Sequence, residues 1–205
     1  NFEKQNRRAF VAKCATGDWD AIVITHSMFE RIMPDPDVAA DYIDSVLAEL
    51  KATQAQPGIE RSASRAINRQ IKDWEARLEK MQALWKKDDL MLFSEVGFDH
   101  IAYDEAHSLK TLFRQSNMKA IAGLNNNDSQ RSFDMFLKSR QIMRNHGDKE
   151  RGLCFASGTI ISNTMAELHT VQRYLQPYTL QSVGLDSFDA WAAQHGRAVH
   201  EMEVS

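Results

Sequence analysis

An α/β chain is the fold class this sequence predicts: a parallel sheet flanked by helices, with an antiparallel helical hairpin inserted between two of its strands. Three observations predict it. Short apolar runs at 21–25, 100–104 and 152–156 read as buried strands of a parallel sheet. Each finishes on polar residues, Thr25-His26-Ser27, Asp104-Glu105 and Ser157-Gly158-Thr159. Between the first two runs lies a stretch far longer than a normal strand-to-strand crossover, in which apolar residues alternate three and four apart.

The elements follow in order. Residues 2–15, with Phe2, Ala9, Phe10 and Ala12 roughly at helical spacing, predict a helix, and Gly17 supplies a left-handed residue to close it. The β-branched run Ala21-Ile22-Val23-Ile24-Thr25 predicts the first strand. Met33-Pro34-Asp35-Pro36-Asp37 then punctuates the chain, with Asp37 as N-cap of a helix over 38–53 whose stripe is Val38, Tyr42, Val46 and Leu50. Pro57-Gly58 breaks the pattern. A second helix over 60–87 carries Ile67, Ile71, Trp74, Leu78, Met81 and Trp85 on one seam, so 38–88 reads as two antiparallel helices projecting from the sheet.

After the central strand, Gly123-Leu124-Asn125-Asn126-Asn127-Asp128 is turn-rich, and Asp128 or Ser129 caps a helix to about Arg144 that Gly147 ends. The third strand is followed by a helix opened by Ser162 or Asn163, with Met165, Leu168, Val171 and Leu175 inward, and stopped by Pro177. A last helix covers 188–194.

Composition narrows the classes. A chain of 205 residues supports one sizeable core and one domain, and 43% hydrophobic with 26% charged residues excludes disorder as the dominant state. The net charge of -3 argues against a domain that is basic all over, although a local basic groove can still bind phosphates. Cys14 and Cys154 have no metal-ligand spacing around them and read as reduced, buried thiols of a cytoplasmic protein. No apolar run approaches a membrane span and the start has no signal-peptide pattern, so no membrane partner is expected. An opening Asn1-Phe2-Glu3 without initiator Met is what a piece of a longer protein would show.

The chemistry concentrates at the strand ends, where ligands of open α/β sheets gather. One acid of Asp104-Glu105 can hold magnesium, directly or through water, while its neighbour orients and deprotonates an attacking water. Bare Asp-Glu pairs also occur at solvated helix starts. His26 reads equally as a loop-end residue satisfied by backbone.

Asp104-Glu105-Ala106-His107 resembles the Walker B box, motif II, of superfamily 2 helicases and translocases. Ser157-Gly158-Thr159 resembles their motif III, and Thr25-His26-Ser27 occupies the place of motif Ib. The run Asp104 to Lys110 looks like the Swi/Snf-type motif II, and Ser157 to Leu168 looks like that group's Gly-Thr-Pro-Ile-x-Asn-x-x-x-Glu-Leu segment. The chain is also similar, through 17–21, 26–29, 129–134 and 188–191, to large phage- and plasmid-borne proteins that join an adenine-N6 DNA methyltransferase to a Swi/Snf-type helicase.

The resemblance implies a partial RecA-like, P-loop NTPase lobe working with ATP, magnesium and double-stranded DNA. In it Asp104 holds the metal, Glu105 is the general base, and His107, Ser157 and Thr159 couple hydrolysis to movement. Thr25, His26, Ser27, Lys110 and Arg131 are the nucleic-acid contacts it implies. Ile160 stands where the family has Pro. The sequence contains no Gly-x-x-x-x-Gly-Lys-Ser/Thr loop to cradle phosphates, so the expectation is a fragment of lobe one, separated from its phosphate-loop segment and second lobe, inactive alone and holding no nucleotide tightly. The alternative is a non-catalytic interaction module built on a degenerate lobe, with the hairpin as its working part. An unrelated α/β hydrolase lacks its nucleophile elbow here.

Overall fold

The computed structural model describes residues 4–86, 90–114, 116, 129–162 and 164–196, with side chains from residue 9 onward. The chain divides into two compact units, Asn1–Phe98 and Asp99–Ser205. It is mostly helical, with one small parallel sheet.

In the first unit, α1 (Lys4–Thr16) ends without a left-handed glycine. The exposed Trp19 indole folds over Gly17 instead: a Cβ there would lie 1.9 Å from its ring nitrogen, which donates to Lys13 O at 2.7 Å, so a larger residue would displace the ring. The expected strand at 21–25 does not form. Its residues join no ladder among the described residues, and Val23 is 97% exposed. A β-branched run gains strand structure only when a neighbour takes its backbone groups. Thr25 instead caps the single turn α2 (His26–Phe29), its hydroxyl accepting from Met28 N at 3.3 Å.

The long helices α3 (Pro36–Gln54) and α4 (Arg61–Trp85) form as the periodicity requires. Asp35, not Asp37, is the N-cap, because Pro36 takes the first helical position where its missing N–H costs nothing. The Asp35 carboxylate reaches across to Ser94 N (3.1 Å) and the Ser94 hydroxyl, 59 residues on. The two helices pack in opposite directions: Tyr42 meets Trp74 edge-on at 6.1 Å, and Trp85 Nε1 donates to Pro34 O at 3.2 Å. Val38, Ile43, Val46, Leu47 and Leu50 of α3 are buried, as are Ile71, Trp74 and Met81 of α4. A parallel bridge of Met33 with Leu92 closes the base of the pair, with Met33 N on Met91 O and Phe93 N on Met33 O, both 2.8 Å. The short α5 (Phe93–Val96) follows, and its Phe93 ring is edge-on to Phe29.

In the second unit, β1 (Ile101–Tyr103) and β2 (Leu153–Phe155) pair in parallel, with Ile101 opposite Leu153 and Tyr103 opposite Phe155. Among the described residues two paired strands form where three were expected. Cys154 is exposed and Cys14 half-buried, against the expectation of two buried thiols, because Cys154 and its partner Ala102 share the open face of the ladder. The other face, Ile101 and Tyr103, is covered.

Helix α6 (Gln130–Asn145) is the centre of this unit, with Phe133, Phe136, Leu137, Ile142 and Met143 at or near zero exposure. Ser129 is its N-cap, accepting from Ser132 N at 3.1 Å, and Gly147 turns the chain out at φ 69°. The other proposed cap, Asp128, and the turn-rich 123–128 lie outside the described residues, as does Asn163. Helix α7 (Ala166–Leu175) then differs from expectation in its facing. Met165, just before it, is exposed and Leu168, Val171 and Leu175 are half-buried, while Ala166, Glu167, His169, Thr170 and Tyr174 are buried. The buried side of α7 is the polar one, because Glu167, Thr170 and Tyr174 each meet hydrogen-bonding partners there. Pro177 stops α7 and opens α8 (Pro177–Ser182), a helix the sequence reading did not place, before α9 (Phe188–His195). Leu180, Phe188 and Trp191 pack on Ala166 in a small satellite core.

Candidate functional site

The parallel pairing of β1 and β2 decides where the motif residues stand. Both strands run the same way, so Asp104-Glu105 and Ser157-Gly158-Thr159 leave the sheet at the same edge. The ladder is extended there by Ala156 N on Tyr103 O and Ala106 N on Ala156 O, each 2.9 Å. Those bonds fix the two connections side by side.

Glu105 occupies the turn out of β1 with φ 53° and ψ 46°, the left-handed region that a residue with a Cβ enters at a cost of about 1–2 kcal/mol. The turn is held from both sides. Asp104 Oδ1 accepts from Glu105 N at 2.9 Å, and Glu105 O accepts from Ser108 N at 3.0 Å at the start of a 3₁₀ turn, Ala106–Leu109. The result is two adjacent carboxylates carried outward into solvent, with Glu105 61% exposed. His107 Nδ1 lies 3.0 Å from Glu105 Oε2, an exposed pair worth about 1 kcal/mol at most.

Across the edge, Ser157 is occupied within its own turn. Its hydroxyl lies 3.3 Å from both Thr159 N, from which it accepts, and Thr159 O. Neither hydroxyl of Ser157 or Thr159 is hydrogen-bonded to Asp104 or Glu105 among the described residues, so the expected direct link between the two motifs is not made here. Ile160, Ile161 and Met165, just beyond, are exposed apolar side chains.

Behind this edge sits a buried polar network. Lys110, expected at a nucleic-acid phosphate, points inward: its ammonium is 3.0 Å from Glu167 Oε2 and 3.0 Å from Ser162 Oγ, with side-chain exposures of 11% for Lys110 and 8% for Glu167. Glu167 also accepts from Ser162 N at 2.6 Å. Arg114 donates to Ala166 O and to Thr170 Oγ1, and burial together with the nearby Arg173 cation pulls its pKa down to about 10 against the opposing pull of Glu167. Tyr174 OH donates to Ser132 O at 2.7 Å. The segment after Asp104-Glu105 is thereby tied to the segment after Ser157-Gly158-Thr159.

The sequence reading gave Glu167, Ser162, Arg114 and Tyr174 no site role. The polar stripe Glu167, Thr170 and Tyr174, at i, i+3 and i+7, was the available signal.

The remaining expected contacts are divided between the two units. Thr25, His26 and Ser27 form the capped turn at the start of α2 in the first unit, where Thr25 Oγ1 and Ser27 Oγ are 3.2 Å apart. Arg131 lies in the first turn of α6 in the second.

No group of three or more His, Cys, Asp or Glu side chains able to cage a metal occurs among the described residues. Magnesium is usually held by one or two carboxylates with waters and substrate phosphates completing the shell. Exposed, adjacent Asp104 and Glu105 fit that arrangement and not a protein-only cage.

No curated protein and no solved structure matches the chain. A family model described as a probable helicase domain matches residues 1–205, its whole length. The edge just described therefore sits in a chain that belongs to the probable helicase domain family.

Proposed function

We propose that this chain is part of the first RecA-like lobe of an ATP-driven DNA translocase of the Swi/Snf type, superfamily 2, within a larger phage- or plasmid-borne protein that also carries a methyltransferase. The observation that carries the reading is the shared edge: two solvent-facing acids after one strand and a Ser-Gly-Thr turn after its parallel neighbour. Asp104 is the metal-side acid, its backbone position fixed by its own hydrogen bond to Glu105 N. Glu105 is the general base that orients the attacking water and accepts its proton. Magnesium, when bound with ATP, would supply charge neutralisation on the phosphate oxygens. Without a phosphate-binding loop in this sequence, the chain by itself turns over no ATP.

The test is Glu105→Gln in the full-length protein. The amide keeps the shape but cannot take the proton, so hydrolysis should fall by about 10²–10⁴-fold with nucleotide affinity little changed. Loss of nucleotide binding in step with turnover would remove Glu105 from the base role and favour the non-catalytic module, in which the α3–α4 pair is the working part.

A further inference from the structure

The outer face of α4 carries a run of exposed cations. Arg61, Arg65, Arg69 and Lys72 are spaced four, four and three residues apart, so at 3.6 residues per turn they fall within about 80° of the helix circumference. All four are exposed. The side facing α3, with Ile71, Trp74 and Met81, is opposite. The neighbouring acids are engaged or offset: Glu75 lies on the α3 side, 3.8 Å from Lys51, while Asp73 flanks the stripe and Glu79 ends it. None of the four cations has an ion pair among the described residues.

A surface of this kind costs stability through self-repulsion unless an anion covers it. Consecutive charges stand about 4.5–6 Å apart along the helix, over about 16 Å in total, a length along which a nucleic-acid strand presents several phosphates at about 3.4 Å of axis each. At the amino-terminal end the stripe borders a shallow, open surface depression of about 390 Å³, lined among others by Gln54, Gln56, Arg61, Ser64 and Arg65. Amide, hydroxyl and guanidinium donors there are the groups that contact phosphate and sugar without reading sequence. No side chain caps the helix start beside them.

We infer that the Arg61, Arg65, Arg69 and Lys72 face of α4 is a docking surface for the phosphate backbone of a nucleic acid. The choice of occupant rests on the translocase reading above. It makes the α3–α4 pair a second nucleic-acid contact, separate from the strand-edge motifs, and one that grips without sequence preference.

The test is fluorescence anisotropy of labelled duplex DNA and duplex RNA with the whole chain between about 50 and 200 mM salt. Arg61→Gln, Arg65→Gln, Arg69→Gln and Lys72→Gln together should weaken binding at least tenfold at the lowest salt and flatten the log–log salt dependence by about 3–4, near 0.9 per lost phosphate contact. The double variant R65Q/R69Q should show about half that change in slope. K149Q/R151Q, with the same loss of charge in the other unit, should show little. All substitutions sit on exposed positions, and a melting curve confirms that each variant folds.

Equal weakening by K149Q/R151Q, an unchanged salt slope in the fourfold variant, or no binding by the unaltered chain would each overturn the proposal. Polyglutamate competing as well as DNA at equal charge would assign the surface to an acidic protein instead. These outcomes are independent of the Glu105→Gln result, which tests hydrolysis and not docking. DNA and RNA binding equally would leave the phosphate surface in place without base or sugar preference.

Discussion

Glu105 and Glu167 are both carboxylates a short distance beyond a strand of the same two-stranded ladder, and their environments are opposite. Glu105 stands in solvent on a left-handed backbone, with a single exposed histidine beside it. Glu167 is 8% exposed, and its oxygens take Ser162 N, Ser162 Oγ and the Lys110 ammonium. A carboxylate with its lone pairs already filled has little left to offer a ligand, whereas one held outward at a conformational cost, with one exposed imidazole on a single oxygen, keeps most of its capacity open to solvent. The two acids are told apart by what they already touch.

That contrast breaks most sharply under truncation. Glu167→Ala would leave the Lys110 ammonium in a largely buried place with no counter-charge and would strip Ser162 N of its acceptor. The loss should be about 3 kcal/mol, the low end for a broken buried pair because some water reaches Lys110. At roughly 2–4 °C per kcal/mol for a chain of this size, melting should drop by about 6–12 °C. Glu105→Ala should change stability by less than about 0.5 kcal/mol, since an exposed pair contributes little. Thermal melts of both variants decide it, and equal effects would erase the distinction.

Much of this was legible in the sequence, though not evenly. The seam Ile71, Trp74 and Met81 gave α4 correctly because an amphipathic period needs no knowledge of the rest of the chain. The run 21–25 looked more strand-like than either real strand, and it forms none, because strand structure depends on a partner that composition cannot supply. The strand-edge placement of Asp104 and Ser157 followed from order and punctuation. The inward turn of Lys110 did not, because a lysine after a strand is equally a surface charge until Glu167 is seen to approach it from 57 positions later. The facing of α7 was misread for the same reason. Hydrophobic count favoured Leu168 and Val171, but hydrogen-bond partners from 109–132 made the Glu167, Thr170 and Tyr174 side the buried one.

The network's pH response sharpens the comparison further. His169, on α7 next to the Glu167 stripe, is buried against Phe188 and Trp191, with Nδ1 unpartnered and Nε2 3.3 Å from Leu185 O. Desolvation first, then the Arg173 and Arg114 cations, lower its pKa from 6.5 to about 4 against the pull of the Leu185 and Asp186 backbone. The neutral ring is therefore the folded form, and the unfolded chain binds the extra proton between the two values. Its contribution is fully present above about pH 6.5 and is lost as pH falls toward 4, by up to about 3 kcal/mol. Melting temperature should fall over that window in the parent chain, and His169→Gln should flatten the fall. A slope unchanged by the substitution would assign the response to other groups.

Another small expected effect on stability is at the other side of the shared edge, and it bears most directly on function. Ser157 Oγ makes only 3.3 Å contacts within its own turn, and Thr159 contributes backbone to that turn, so Ser157→Ala with Thr159→Ala should cost no more than about 1 kcal/mol. Neither hydroxyl touches Asp104 or Glu105, so the acids keep their placement and basal hydrolysis in the full-length protein should stay within about twofold. What the variant removes is a pair of donors on the edge that faces any ligand bound beside Glu105. Stimulation of hydrolysis by DNA, or the movement it drives, should therefore fall several-fold while basal turnover persists. A basal rate that collapses as it does for Glu105→Gln would place these hydroxyls in the chemistry itself. Unchanged stimulation would reduce the Ser-Gly-Thr turn to a structural connection and leave the coupling to be sought in the exposed Ile160, Ile161 and Met165 beyond it.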